Sequence, residues 1–135
     1  MKRPDWWGRR AGIDHYGDLV DSLGHEVIAE ESFGDYQGDQ AYILRGQDRR
    51  IGYLVIGYGS CSGCDAMQDA VPWCIGHDES ACGCDWSGVV ELRDSIAGDI
   101  RWGVAPEPRD PNRWYSYDGG LIDWLIAEYA KAVAS

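Results

Sequence analysis

The pattern of hydrophobic and polar positions between residues 26 and 58 contains three strand-like runs, namely Val27–Phe33, Ala41–Leu44 and Ile51–Tyr58. This pattern predicts three β-strands, because alternate side chains of a strand lie on opposite faces. The segments between them, 34–39 and 46–49, are short and rich in Gly and Asp, which favours an antiparallel meander. The third run is apolar on both faces, so we expect it to be the central strand.

Two short helices are predicted on either side of these strands. The first has Asp18 as N-cap and stops at Gly24, and its apolar stripe is Leu19, Val20 and Leu23. The second covers residues 65–71, with Asp65 as N-cap and Pro72 as terminator.

Two longer helices are predicted in the C-terminal part, joined by a proline-containing connector over residues 103–119. The first begins at Ser87 and is closed by Trp102, with Val89, Leu92, Ile96 and Ile100 on one face. The second places Leu121, Ile122, Leu125, Tyr129 and Val133 on one side. Spacing of this kind is typical of an amphipathic helix packed on a core.

These elements predict one compact α+β domain, a three-stranded antiparallel meander with about four helices packed mainly against one face. A chain of 135 residues is the usual size of one domain. Residues 1–15 have no clear period and predict an irregular arm tethered by Trp6 and Trp7, so the domain itself spans 16–135.

The charge of the chain is strongly negative and unevenly distributed. Its net charge is −11, and neither residues 11–44 nor residues 51–92 contain Lys or Arg. Such a surface repels phosphate backbones and anionic lipids, which argues against direct binding of nucleic acid or membrane and favours a protein partner with a basic surface. The first residues lack the apolar core of a signal peptide, so we expect a cytoplasmic protein.

Five cysteines between residues 61 and 84 carry the most concentrated chemistry in the sequence. In a reducing compartment an odd number of cysteines favours metal ligands or buried thiols over disulfides. The Cys61-x-x-Cys64 turn suits one side of a tetrahedral zinc site, and the pair Cys82 and Cys84 closes it, with Cys74 or His77 as substitutes. Reduced thiols packed as small apolar residues are the alternative.

The same turn also allows a thiol–disulfide oxidoreductase that uses Cys61 and Cys64. A strand, a Cys-x-x-Cys turn and a helix follow one another as in thioredoxin-like proteins, and Pro106 is available as a loop proline. Two features oppose this interpretation. The strands before the turn are predicted as hairpins, and Asp65 beside the thiols disfavours the thiolate.

Other candidate chemistry is weaker. Residues 34–39 place Asp35 and Asp39 in a glycine-rich turn that offers few oxygen ligands for a hard cation, so we expect their side chains to bond the local backbone. The three histidines have no nucleophile at a diagnostic spacing, and no phosphate loop or dinucleotide fingerprint occurs. We therefore assign no catalytic residue.

Residues 29–39, AEESFGDYQGD, and 57–66, GYGSCSGCDA, resemble a group of uncharacterised small proteins of actinobacteria and their phages. Residues 91–96 and 100–102 fit the same pattern, and the segment 72–86 departs from it. The resemblance implies no known activity. It suggests a phage-encoded protein in the host cytoplasm.

Together these observations predict a non-enzymatic acidic protein-interaction module, braced by zinc and acting on a host protein. Seven Trp and eight Tyr against one Phe suit such a contact surface, because these rings combine apolar area with a polar atom. Two alternatives stay open at this point, the oxidoreductase and a structural component of the virion.

Overall fold

The structure is a computed structural model, and it describes residues 2–7, 15–34, 38–58, 70, 84–107 and 119–135. In chain order its elements are helix α1 (His15–Ser22), strands β1 (Glu26–Gly34), β2 (Gly38–Arg45) and β3 (Ile51–Tyr58), helix α2 (Ser87–Asp99), strand β4 (Arg101–Trp102) and helix α3 (Gly119–Ala134). The strands form one antiparallel sheet in the order β1-β2-β3-β4. The predicted α+β class and the antiparallel meander are confirmed.

The fourth strand corrects the prediction of three strands and of a helix that runs to Trp102. Helix α2 ends at Asp99, and Ile100 is extended, with φ −65° and ψ 129°. The next two residues pair with Tyr53 and Gly52 of β3. Packing explains the change, because the Trp102 ring covers Gly52 so closely that a Cβ there would lie 2.7 Å from its Cε3 atom. The hydrophobic periodicity of the sequence cannot predict a contact between residues so far apart in the chain.

Helices cover both faces of the sheet, so the prediction that they pack mainly on one face is wrong. The α1–α2 face is built from large side chains: Tyr16, Leu19, Val20, Tyr42, Leu44, Leu54, Ile56, Ile96 and Ile100. The α3 face is built from Ala41, Ile43, Ile51, Tyr53, Leu121, Leu125, Tyr129 and Ala132. Strands β2 and β3 are therefore buried on two sides, as their nearly continuous apolar sequences require.

Helix α1 begins earlier than predicted and ends as predicted. It starts at His15, so Asp18 lies inside the helix, is buried, and is not the N-cap. The helix stops at Ser22, and Gly24 adopts the left-handed conformation that favours glycine, with φ 82°. Arg93 of α2 then holds this end, because its guanidinium donates to the hydroxyl and the carbonyl of Ser22 at 2.8 Å each.

Helix α3 is the predicted closing helix with one change of face. Leu121, Leu125 and Tyr129 are buried as expected, whereas Val133 is 58% exposed and Ala132 takes its place in the core. The side chain of Ala132 is small and belongs to the core cluster on this face, and α3 lies against β1, β2 and β3.

Trp6 and Trp7 tether the N-terminal arm, as predicted, because both pack against the α1–α2 face. Trp7 also meets Trp86 edge-on, with ring centroids 5.1 Å apart. Of the predicted 65–71 helix, Ala70 is described and is helical, and the rest lies outside the described residues. Among the described residues three helices have defined bounds, and none of them is long and apolar enough to cross a bilayer.

Candidate interaction surface

The predicted zinc ligands fall mostly outside the described residues. Cys61, Cys64, Cys74, His77 and Cys82 all lie there, so the structure tests neither the zinc site nor the oxidoreductase, and both stay predictions. Cys84 is described and is half-buried. Within the described ranges no three His, Cys, Asp or Glu side chains are grouped so that they could hold a metal ion.

Two described residues of the cysteine segment lie beside the first turn of α2. Cys84 precedes the helix by three residues, and the carbonyl oxygen of Ala70 would lie 3.1 Å from a Cβ built on Gly88. Asp85, which follows Cys84, accepts hydrogen bonds from the amide and the hydroxyl of Ser87, both at 3.0 Å. These bonds lower the pKa of Asp85, beginning with the bond to the backbone amide, and keep its carboxylate charged.

The outward side of α2 is acidic. Glu91 and Asp94, three residues apart, are exposed on one face, and Asp99 is exposed at the end of the helix. The single base of the helix, Arg93, is directed to Ser22, and its Nη1 atom remains 3.8 Å from the carboxylate of Asp94. The negative charge of this side is therefore weakly compensated by its own helix.

The position of these acids opposes the helix dipole. Helix α2 has no acidic residue in its first turn and no basic residue in its last, whereas Asp99 is its final residue. A carboxylate at a helix C-terminus faces the negative end of the dipole, which costs about 0.3–1 kcal/mol at an exposed site. Glu91 and Asp94 add repulsion at a spacing of three residues. Helix stability does not explain this arrangement.

A second acidic region lies on β1, the outermost strand on one side of the sheet that the described residues form. Strand β1 is at the edge of the order β1-β2-β3-β4, and Glu30, Glu31 and Ser32 in its middle are exposed. The amide of Ser32 donates to the carboxylate of Glu31 at 3.1 Å. The carboxylate of Glu31 therefore lies next to the backbone amide of the following residue on this strand.

Comparison with known proteins identifies no relative. Scans against protein-family models, curated proteins and solved structures found no match. The resemblance to actinobacterial and phage proteins stays an expectation.

The region around the β2–β3 turn is rich in basic residues, unlike the outward side of α2. Arg45, Arg49 and Arg50 lie at the β2–β3 turn, and Arg101 lies on the neighbouring strand β4. Arg45 pairs with Glu26 at 2.8 Å, and Arg50 pairs with Asp48. A cavity of about 350 Å³ separates this turn from the end of α3. Two of these four arginines therefore have a carboxylate partner.

A tryptophan contact at this end was missed by sequence reasoning. Trp102 meets His25 edge-on, with ring centroids 4.9 Å apart, and the Arg50 guanidinium lies 5.8 Å from its ring centroid. Gly46 and Gly52 provide the flat surface beneath the indole. Two glycines on either side of a turn were the available signal, because such positions often allow close packing by a ring.

The turn with two carboxylates is described in part. Asp35 lies outside the described residues, and Asp39 is buried on β2 between Phe33 of β1 and Gly57 of β3. Burial raises the pKa of Asp39 above its ordinary value, because a charged carboxylate loses its hydration there.

Proposed function

We propose that this protein is a non-enzymatic acidic interaction module that binds a protein partner through a basic surface of that partner. The observation that carries the proposal is the outward side of α2, where Glu91, Asp94 and Asp99 are exposed without a base in the last turn. Charge placed against the helix dipole lowers stability, so its presence is better explained by an external ligand that supplies the missing positive charge.

The setting of this function is a separate part of the proposal. The resemblance described above supports a phage-encoded protein that acts on a host protein. The bracing zinc ion of the prediction belongs to the cysteine segment. It is not required for the charge argument, because α2 and the sheet lie outside that segment.

The test is a pull-down from a lysate of an actinobacterial host with the full chain as bait. A matched bait carries Glu91→Gln, Asp94→Asn and Asp99→Asn, which removes three charges and keeps side-chain size. A control bait carries Asp123→Asn on the exposed side of α3. We expect a basic protein to be retained by the parent and the control at low salt, and to be lost from the triple variant.

The same pull-down is repeated at increasing salt concentration. Exposed charges are screened within about 8 Å at physiological ionic strength and within about 3 Å at 1 M, so retention should fall as salt rises. Equal retention by the triple variant, or retention that does not respond to salt, contradicts the proposal.

A further inference from the structure

The cavity between the β2–β3 turn and the end of α3 has a volume of about 350 Å³. Arg45 and Arg49 line it on the side of the sheet. On the other side the last turn of α3 lines it, with Ala132 and Val133. Ligand pockets in proteins measure about 300–1,000 Å³, so this cavity has room for a small ligand.

The register of the sheet fixes the position of Arg45. This residue follows Ile43 by two positions on β2 and lies opposite Ile51 of β3. Both isoleucines belong to the core on the α3 face, so alternation places Arg45 on the same face. Its guanidinium donates to Glu26 at 2.8 Å. A guanidinium has five N–H donors, so Arg45 can bind a ligand as well.

Arg49 occupies a backbone position at which glycine is usual. The Gly46 amide donates to the Arg50 carbonyl at 2.9 Å, and the Arg49 amide donates to the Gly46 carbonyl at 3.0 Å. These bonds define a three-residue hairpin loop that ends on a left-handed residue, and Arg49 has φ 68°. An arginine in this conformation is less stable than a glycine. The turn itself therefore does not explain an arginine at position 49.

The charge of Arg49 is available to a ligand. Across the described part of the chain no carboxylate pairs with Arg49, whereas Arg50 in the same turn is held by Asp48. A guanidinium presents a planar set of donors that matches the two oxygens of a carboxylate. A strained arginine beside a cavity is therefore better explained by binding than by folding.

We propose that this cavity binds a small aliphatic carboxylate. Arg45 and Arg49 bind the carboxylate group, and the hydrocarbon part lies on Ile51, Ala132 and Val133. Val133 is 58% exposed, so covering its side chain removes apolar surface from water. The inference does not rest on the proposed function, because α2 contributes no residue to the described wall of the cavity.

The surrounding charge favours a monoanion over a phosphate dianion. Glu26 already binds Arg45, and the C-terminal end of α3 presents the negative end of a helix dipole. Both oppose a second negative charge on the ligand. A single carboxylate offers about four lone-pair sites on its two oxygens, so it can accept hydrogen bonds from both arginines.

The experiment titrates the full chain with 4-methylpentanoate and follows the backbone amide signals of Arg49 and Val133 by NMR. The amide 4-methylpentanamide keeps the shape and loses the charge, acetate loses the hydrocarbon part, and isobutyl phosphate carries the second charge. We expect each of these probes to bind at least about tenfold more weakly. Equal binding of any of them overturns the inference, as does absence of binding by 4-methylpentanoate.

A chain end carries the same chemical group as a free acid. The peptide acetyl-Gly-Gly-Leu, with a free carboxyl group, represents that source. We expect it to bind more weakly than 4-methylpentanoate, because the volume of the cavity suits a small molecule. Tighter binding of the peptide overturns the assignment to a small ligand.

Arg49→Gly separates binding from folding. Glycine relaxes the left-handed position, so we expect this variant to resist urea at least as well as the parent and to bind 4-methylpentanoate at least about tenfold more weakly. Arg101→Gln is the charge-matched control, because Arg101 lies on β4 and not in the described wall of the cavity. It should change the affinity by less than about twofold. Undiminished binding by Arg49→Gly, or an equal loss in both variants, overturns the inference.

Discussion

The two faces of the sheet are covered in different ways. On the α3 face one continuous helix supplies Leu121, Leu125 and Tyr129 to the core. On the α1–α2 face two helices distant in sequence meet the sheet together with Trp6 and Trp7 from the N-terminal arm. One face is thus formed by a local segment and the other by segments assembled from the whole chain.

This difference shows where the stability of α2 comes from. Its outward side is acidic and its charges oppose the dipole, so the helix depends on contacts made elsewhere. Trp86 in front of the helix and Arg93 within it supply such contacts, to Trp7 and to Ser22. Helix α3 has a regular apolar side of its own and needs no comparable links.

The largest expected effect is from Trp86→Ala, which removes the indole that contacts Trp7. Trp86 is 1% exposed, and truncation of a buried tryptophan costs about 3–5 kcal/mol. We expect urea unfolding to show this loss, and hydrogen exchange to accelerate first in α2. Val104→Ala is the control, because Val104 is 53% exposed. A loss below about 1 kcal/mol would mean that α2 does not rely on the arm.

Next in size is Leu125→Ala on the other face. Leu125 is completely buried against the sheet, so we expect a loss of about 2–5 kcal/mol in the free energy of unfolding. The exposed Val133 in the same helix provides the control, since Val133→Ala should change stability by less than about 0.5 kcal/mol. Exchange should accelerate in α3 while α2 stays protected. Equal acceleration of both helices would show that the shared strands couple the two faces.

The smallest expected effect is a gain in the free energy of unfolding, from Asp39→Asn, and it depends on pH. Burial raises the pKa of Asp39 above its ordinary value of 3.8, so the folded protein keeps this proton to a higher pH than the unfolded chain. Ionisation then lowers stability as pH rises through the folded pKa. We expect Asp39→Asn to raise the free energy of unfolding at pH 7 by about 1 kcal/mol.

The pH series provides its own control for this prediction. Well below pH 3.8 the carboxyl is protonated in both states, so the advantage of Asp39→Asn should disappear there. The exposed Asp123→Asn variant should show no comparable trend. A gain that persists unchanged in acid would show that the charge of Asp39 is not its cause.

The local parts of the fold were predictable from the sequence. Apolar runs bounded by turn residues located β1 to β3, with β3 matching Ile51–Tyr58 at both ends, and the period of the last segment located α3. The stop of α1 at Gly24 followed from the left-handed preference of glycine. In each case the signal lies within the element itself.

The non-local parts were not predictable in the same way. Strand β4 forms where the Trp102 ring packs against Gly46 and Gly52, which lie about fifty positions earlier in the chain. The second helical layer requires Arg93 to meet Ser22, which no periodicity encodes. The acidic candidate surface was visible as a charge excess, but its division between α2 and the β1 edge required the sheet order.

The contact between Arg93 and Ser22 also orders events in time. The two residues are separated by 71 positions, so this contact closes only after the three long strands and the cysteine segment have been made. During synthesis α1 leaves the ribosome first, yet its C-terminal anchor arrives late. Helix α1 can therefore pack on the sheet through Leu19 and Val20 before Arg93 fixes its C-terminal end.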